Sequence, residues 1–185
     1  MKKFIPLVFF LLLLFAVLAG IVTVFKAMTT PAPKQTTDTR VKLEEAKAKL
    51  SLNKEYTFSF KDTKGKETAT FTYVVDSVEL RNDIVVKGRK ATAIAGRTFL
   101  IVNLKLTNPK EQPISVNTST YIRLSVNDNE KELLAPDIHN DPVTVQPLST
   151  KITRVGFPIN DTDKGLKLHV GEITKEKEAI DIVFP

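Results

Sequence analysis

Two histidines and one basic stretch are the residues whose types could do chemistry. His139 stands in "APDIHNDP", where Asp137, His139 and Asp141 alternate along one loop and would offer two carboxylates and an imidazole to a divalent cation. An acidic, proline-bounded surface loop has the same composition, and that reading is adopted, so no metal site is assigned. His169, in "LKLHVGE", is out of phase with Leu168 and Val170, which puts it on the solvent side of a strand. With no Cys, and with Met1 and Met28 as the only thioethers, the chain can build neither a thiolate copper centre nor a Met-based copper carrier. No serine sits in a G-x-S-x-G elbow, and the seven glycines are scattered without a phosphate-cradling loop. These residues point to no catalytic group and no cofactor. Binding rather than catalysis is expected.

The most uneven charge lies in "RNDIVVKGRKATAIAGR", where Arg81, Lys87, Arg89, Lys90 and Arg97 face Asp83 alone. These five are the candidate binding residues, suited to anionic lipid headgroups, a teichoic-acid-like polymer or an acidic partner. A solvated hairpin or crossover loop would carry the same charges. The opposing acidic segment, Asp128 to Asp141, would orient the domain or pair with a second copy. The whole chain carries a net +6, but Lys2, Lys3 and Lys26 flank the N-terminal apolar run, so the remainder carries only +3. A nucleic-acid binder concentrates its basic residues on one face with interleaved aromatics, so nucleic acid is not an expected partner.

These loops must be held by strands, because most of the chain has a period of two. Tyr56, Phe58 and Phe60 alternate with polar residues, as do Phe71, Tyr73 and Val75 after the turn-like "DTKGK". In "VVDSVEL" the apolar phase jumps to Val78 and Leu80, which requires a bulge near Asp76 and Ser77. "FLIVNLKLTNP" is the strongest strand and should be central, with Leu100, Val102, Leu104 and Leu106 on one face and an Asn108-Pro109 exit that ends the ladder. Short alternating segments recur to Phe184, with "NDNEK" at 127–131 and "NDTDKG" at 160–165 as hairpin turns. Seven to nine strands with polar turns indicate an all-β, two-sheet antiparallel sandwich over residues 52–185. Upstream, "TRVKLEEAKAKLSL" is built of good helix formers with Leu43, Ala46 and Leu50 on one face, which predicts a short linker helix. It ends a Thr- and Pro-rich stalk, the two together covering residues 27–51.

Residues 1–26 address the protein. Phe4 to Phe25 are 22 residues without a charge, long enough as a helix to cross the ~30 Å hydrocarbon layer. A cleaved secretory signal is the rival, since Val17 and Ala19 are the small residues a signal peptidase wants before a cut at Gly20. The apolar block is longer than a signal core and runs past that cut, which favours an uncleaved anchor. "LAGI" at 18–21 is a bacterial lipobox with Ile21 in place of the lipid-bearing Cys, so no thioether anchor forms. The flanking lysines favour a cytoplasmic N-terminus and an extracytoplasmic C-terminal domain at the cell membrane. The N-x-S/T triplets at Asn117 and Asn160 carry little weight, because chance produces such triplets often.

Taken in order, "LNKEYTFSF", "ATFTYVVDSVEL", "AGRTFLIVNLKLTNPKEQPISV", "YIRLSVNDNEKEL" and "LKLHVGEITKEKEAIDIVF" resemble a large uncharacterised family of bacterial and archaeal extracytoplasmic domains. Its members have an immunoglobulin-like, telokin-like fold, and many sit behind a lipoprotein signal or a single transmembrane helix. The resemblance covers about residues 50–185, and its most specific piece is the long strand ending in Asn before a polar turn. This chain departs from the pattern in lacking the lipobox Cys and in a "DNEK" turn without Gly. The resemblance implies an immunoglobulin-like sandwich and carries over no catalytic residue. The expectation is therefore a membrane-anchored extracytoplasmic binding domain that engages an envelope protein or an anionic polymer. The alternatives are a structural spacer or assembly subunit of an envelope complex, and a secreted binder if the chain is cut after Ala19.

Overall fold

Wherever apolar and polar side chains alternate, the backbone pairs into antiparallel ladders. The structure is a computed structural model and describes residues 41–61 and 67–185. The expected anchor, the stalk up to residue 40 and the "DTKGK" turn lie outside the described residues. Among the described residues no helix is long and apolar enough to cross a membrane. The strands are β1 (Ala48–Lys61), β2 (Glu67–Arg81), β3 (Asp83–Val86), β4 (Arg89–Thr92), β5 (Arg97–Asn108), β6 (Ile114–Val116), β7 (Ile122–Ser125), β8 (Val143–Val145), β9 (Ser149–Asn160), β10 (Lys167–Val170) and β11 (Glu178–Asp181). One 3-10 turn, Thr118–Tyr121, precedes β7.

The four long strands form one sheet in the order β1-β2-β5-β9, and β11-β10-β7 form a second, with β6–β8 and β3–β4 as separate pairs. Phe71, Tyr73 and Val75 of β2, the even residues 100–106 of β5, and Val155 and Phe157 of β9 face inward from the long sheet. They meet Ile122, Leu124, Leu168, Val170 and Ile180 of the other in a single buried cluster. Two antiparallel sheets sharing one apolar core make a β-sandwich.

The expected central strand is β5, flanked by β2 and β9 and ending at Asn108. The phase jump in β2 is a register shift against β5 between Val75 and Ser77. Asn108 is fully buried. Its amide donates to the carbonyls of Gln112 at 2.8 Å and Gln146 at 3.0 Å, and its side-chain oxygen accepts the Lys110 N–H at 3.0 Å. Proline ends the ladder, and the asparagine fastens the departing loop to the end of β8.

Three expectations are corrected. No helix forms in residues 41–50: Ala48, Leu50 and Leu52 begin β1, with Ala48 opposite Leu80 and Leu50 opposite Val78. Leu50 and Leu52 pack against the core, and that pairing outweighs an intrinsic helix preference of a few tenths of a kcal/mol, ~0.5 or less per residue. The described residues hold eleven strands rather than seven to nine, because the basic stretch is itself a hairpin and β6 and β8 are separate three-residue strands. "NDTDKG" joins β9 to β10, which lie in different sheets, so it is a crossover rather than a hairpin turn. "NDNEK" does reverse the chain, but the returning arm pairs with β7 through one bridge, Leu124 to Leu134.

Candidate functional site

The basic stretch folds because its apolar and polar residues can be separated across a hairpin. β3 and β4 pair from Asp83 opposite Thr92 to Val86 opposite Arg89. They are joined by Lys87 and Gly88, both in the left-handed region at φ 49° and 77°. Such a two-residue turn matches the strand twist and normally takes Asn-Gly or Asp-Gly. Lysine is the unusual occupant. Ile84 is 1% exposed although it lies outside the main core cluster, so the hairpin is seated on the sheet's outer side. Arg154 of β9 fixes it there, its Nη2 donating to the Val85 carbonyl at 2.5 Å.

Of the five candidate cations, the structure commits three locally. Arg81 Nε donates to Glu79 Oε2 at 2.7 Å, and its Nη1 to the Glu44 carbonyl at 2.9 Å. Lys90 Nζ lies 2.6 Å from the buried Asp83 carboxylate. That lysine holds the Asp83 carboxyl below the usual carboxylate range, against the effect of burial. Arg97 Nη2 donates to the Pro158 carbonyl at 2.9 Å. Arg97 is paired with Asn160, and Arg154 with Asn103, on the same two strands. Six residues of strand set them roughly 20 Å apart. Only Lys87 and Arg89 remain exposed and, among the described residues, without an ion pair or hydrogen bond.

Beside the hairpin lies a cleft of about 190 Å³, lined by Val85, Val86 and Lys87 on one wall and Asp137 to Asn140 on the other, with Arg154 between. The second wall is pinned to β9 by the Ile138–Gly156 bridge, with hydrogen bonds of 3.1 and 2.7 Å. The basic and acidic stretches, some fifty positions apart in the sequence, therefore share one site. That juxtaposition is invisible in the sequence, which shows neither the β9 register nor the bridge that carries the loop to it; Arg154 had no local charge pattern to draw attention to it.

The Asp137-His139-Asp141 reading as a metal loop does not fit the geometry. Asp141 turns inward and is spent on the 3-10 turn: Oδ1 accepts from Thr118 N at 2.7 Å and Thr118 Oγ1 at 2.6 Å, and Oδ2 from Ser119 N at 2.8 Å. Burial opposes its ionisation, but these donors hold its carboxyl below the ordinary value. Among the described residues no three His, Cys, Asp or Glu side chains are grouped to hold a metal ion. His139 borders the cleft, its Nδ1 lying 3.3 Å from the Asp141 nitrogen and 3.4 Å from Asp141 Oδ2. The expectation for His169 is also corrected. It is 7% exposed, and its Nε2 lies 2.9 Å from Ser125 Oγ. It stands on its face of β10 directly between Arg123 of β7 and Ala179 of β11, so its cross-strand neighbours, and not strand phase alone, decide its exposure.

No protein-family model matches the chain, and no curated protein matches it. Two solved structures are similar. One is an uncharacterised β-sandwich protein from Clostridium difficile 630, with a TM-score of 0.52 and 16% identity over 77% of this chain and 99% of that one. The other is a conserved hypothetical protein from Bacillus anthracis, with a TM-score of 0.47 and 17% identity over 71% of this chain and 95% of that one. At such identity the clostridial likeness speaks for the fold alone, and the chain is an all-β protein similar in architecture to that β-sandwich.

Proposed function

We propose that the chain is a membrane-anchored, extracytoplasmic binding domain of the immunoglobulin-like class, and that the tip of the β3–β4 hairpin is its contact for an anionic partner of the cell envelope. One observation carries the reading. Lys87 occupies a left-handed turn position that Asn or Gly fills at lower cost, and it stands there exposed and uncompensated beside the equally free Arg89. The neighbouring Lys90 is paired with Asp83, whereas Lys87 is a cation held in an unfavourable conformation without such a partner, which supports a contact outside the molecule. The 22-residue apolar run supports the membrane anchor. The domain acts by binding rather than catalysis: the Asp141 carboxylate beside His139 is engaged by the Thr118 and Ser119 donors of the 3-10 turn.

Co-sedimentation of the full-length protein, kept in non-ionic detergent, with cell-wall fragments washed free of membrane tests the contact. Lys87→Asn combined with Arg89→Ser should abolish it, while Arg97→Ser should not. Equal sedimentation of the double variant and the wild type would remove the hairpin tip from the function. Protease added to whole cells should degrade residues 41–185, and the intact mass should retain residues 1–26; a mature chain starting at Gly20 would replace the anchor with a secreted form.

A further inference from the structure

The cleft beside the hairpin tip has a charge of its own. Lys87 and Arg154 bring two cations to it and Asp137 one carboxylate, so these three side chains leave the lining singly positive. Its volume of about 190 Å³ is below the ~300 Å³ at which sites for whole drug-sized ligands begin, and suits one small group of a larger molecule. Resting on the hairpin-tip reading, we propose that this cleft is a subsite for a single phosphodiester group.

The donors are of the right kind and are held in place. Arg154 spends one N–H on the Val85 carbonyl, which orients the guanidinium, whose remaining N–H groups suit phosphate oxygens. Lys87 adds a point charge from the turn. The His139 ring is held at the rim by Asp141, its Nδ1 lying 3.3 Å from the Asp141 nitrogen and 3.4 Å from Asp141 Oδ2, which leaves Nε2 as the ring nitrogen available to a ligand. Asn140 adds an amide. Asp137 decides between the two phosphate classes. A monoester carries a charge of about −1.5 to −2 near neutral pH, and the second charge would be repelled by the Asp137 carboxylate. A diester carries one charge and matches the lining. The group would come from a polyol-phosphate polymer or from the headgroup of a lipid such as phosphatidylglycerol; the chemistry recognised is the same.

Calorimetric titration of the full chain in non-ionic detergent tests this, with glycerophosphoglycerol as the diester and glycerol phosphate as the monoester. The wild type should bind the diester more tightly. Lys87→Asn should weaken diester binding roughly tenfold, the scale of one charge-assisted hydrogen bond. Asp137→Asn should raise monoester affinity several-fold and leave the diester little changed, a gain that a misfolded variant cannot show. In the same detergent, competition of glycerophosphoglycerol against a soluble short-chain phosphatidylglycerol, and separately against a soluble polyol-phosphate polymer, identifies the source. Preference for the monoester, or an Asp137→Asn variant with an unchanged preference, overturns the subsite. Envelope binding that needs Lys87 and Arg89 but is not displaced by glycerophosphoglycerol also overturns it, and leaves the hairpin-tip reading standing.

Discussion

Gly156→Ala is the sharpest test of how the second wall of the cleft is held. A Cβ at this position would stand 2.6 Å from Ile101 Cδ1 and 3.3 Å from both Cβ and Cδ1 of Ile138. Ile101 is 1% exposed, so its terminal methyl can turn away only into packed surroundings. Ile138 is tied to Gly156 by two backbone hydrogen bonds. Overpacking of this kind costs about 1–3 kcal/mol, offset by about 0.4–1 kcal/mol from the narrower unfolded ensemble of alanine. A net loss of up to about 2.6 kcal/mol follows, about 1.3 kcal/mol at the middle of the range, which for a chain of this size lowers the Tm by roughly 3–5 °C. Ile101→Val removes Cδ1 and costs about 0.5–1.5 kcal/mol alone, but in the Gly156→Ala background it should cost almost nothing, because it clears the space the new methyl needs. Urea unfolding of the four proteins of this cycle measures the coupling. A Gly156→Ala variant as stable as the wild type, or additive single effects, would refute the packing argument.

Three further outcomes follow from the same geometry. Burial pushes the His169 imidazole below its ordinary value, with the Lys167 and Lys177 charges adding to the effect and Glu130 opposing it. The unfolded chain then binds the proton more readily, so this contribution is complete above about pH 6.5 and is lost as the pH falls from there through the folded value; the urea midpoint of the wild type should drop more than that of His169→Gln between about pH 7.5 and 5. Asn108→Ala leaves the Gln112 and Gln146 carbonyls and the Lys110 N–H without their partner, and should cost about 2–4 kcal/mol in chemical denaturation. Lys87→Asn should raise stability by about 0.5–1 kcal/mol, since Asn tolerates the left-handed turn better, while it weakens binding; a destabilised variant would contradict the reading of Lys87 as a residue kept at a structural cost.

The parts of this fold that were legible in the sequence are those set by a strand's own side chains. The alternation of β5 and its Asn108 exit mark the centre of the long sheet, and the phase jump at Asp76 and Ser77 marks the register shift, because both are consequences of period-two geometry along one segment. The start of β1 was not legible. Its residues prefer a helix locally, and only pairing with Leu80 and Val78 makes them a strand. The basic stretch was legible as a concentration of charge but not as a site, since the division between committed and free cations depends on the register. Lys90 reaches Asp83 only because the hairpin turns at Lys87 and Gly88. His139 and Asp141 touch, His139 Nδ1 lying 3.4 Å from Asp141 Oδ2, yet the ring borders the cleft while the carboxylate caps the turn at Thr118, a division of roles no local pattern encodes.

Retention of the full-length protein on an immobilised polyol-phosphate polymer at rising salt tests the central claim most directly. The wild type should be retained at low salt and released as salt rises, as expected for an electrostatic contact, and Lys87→Asn combined with Arg89→Ser should pass through unretained with an unreduced Tm. Release of the two proteins at the same salt concentration would contradict the assignment of the hairpin tip as the binding surface.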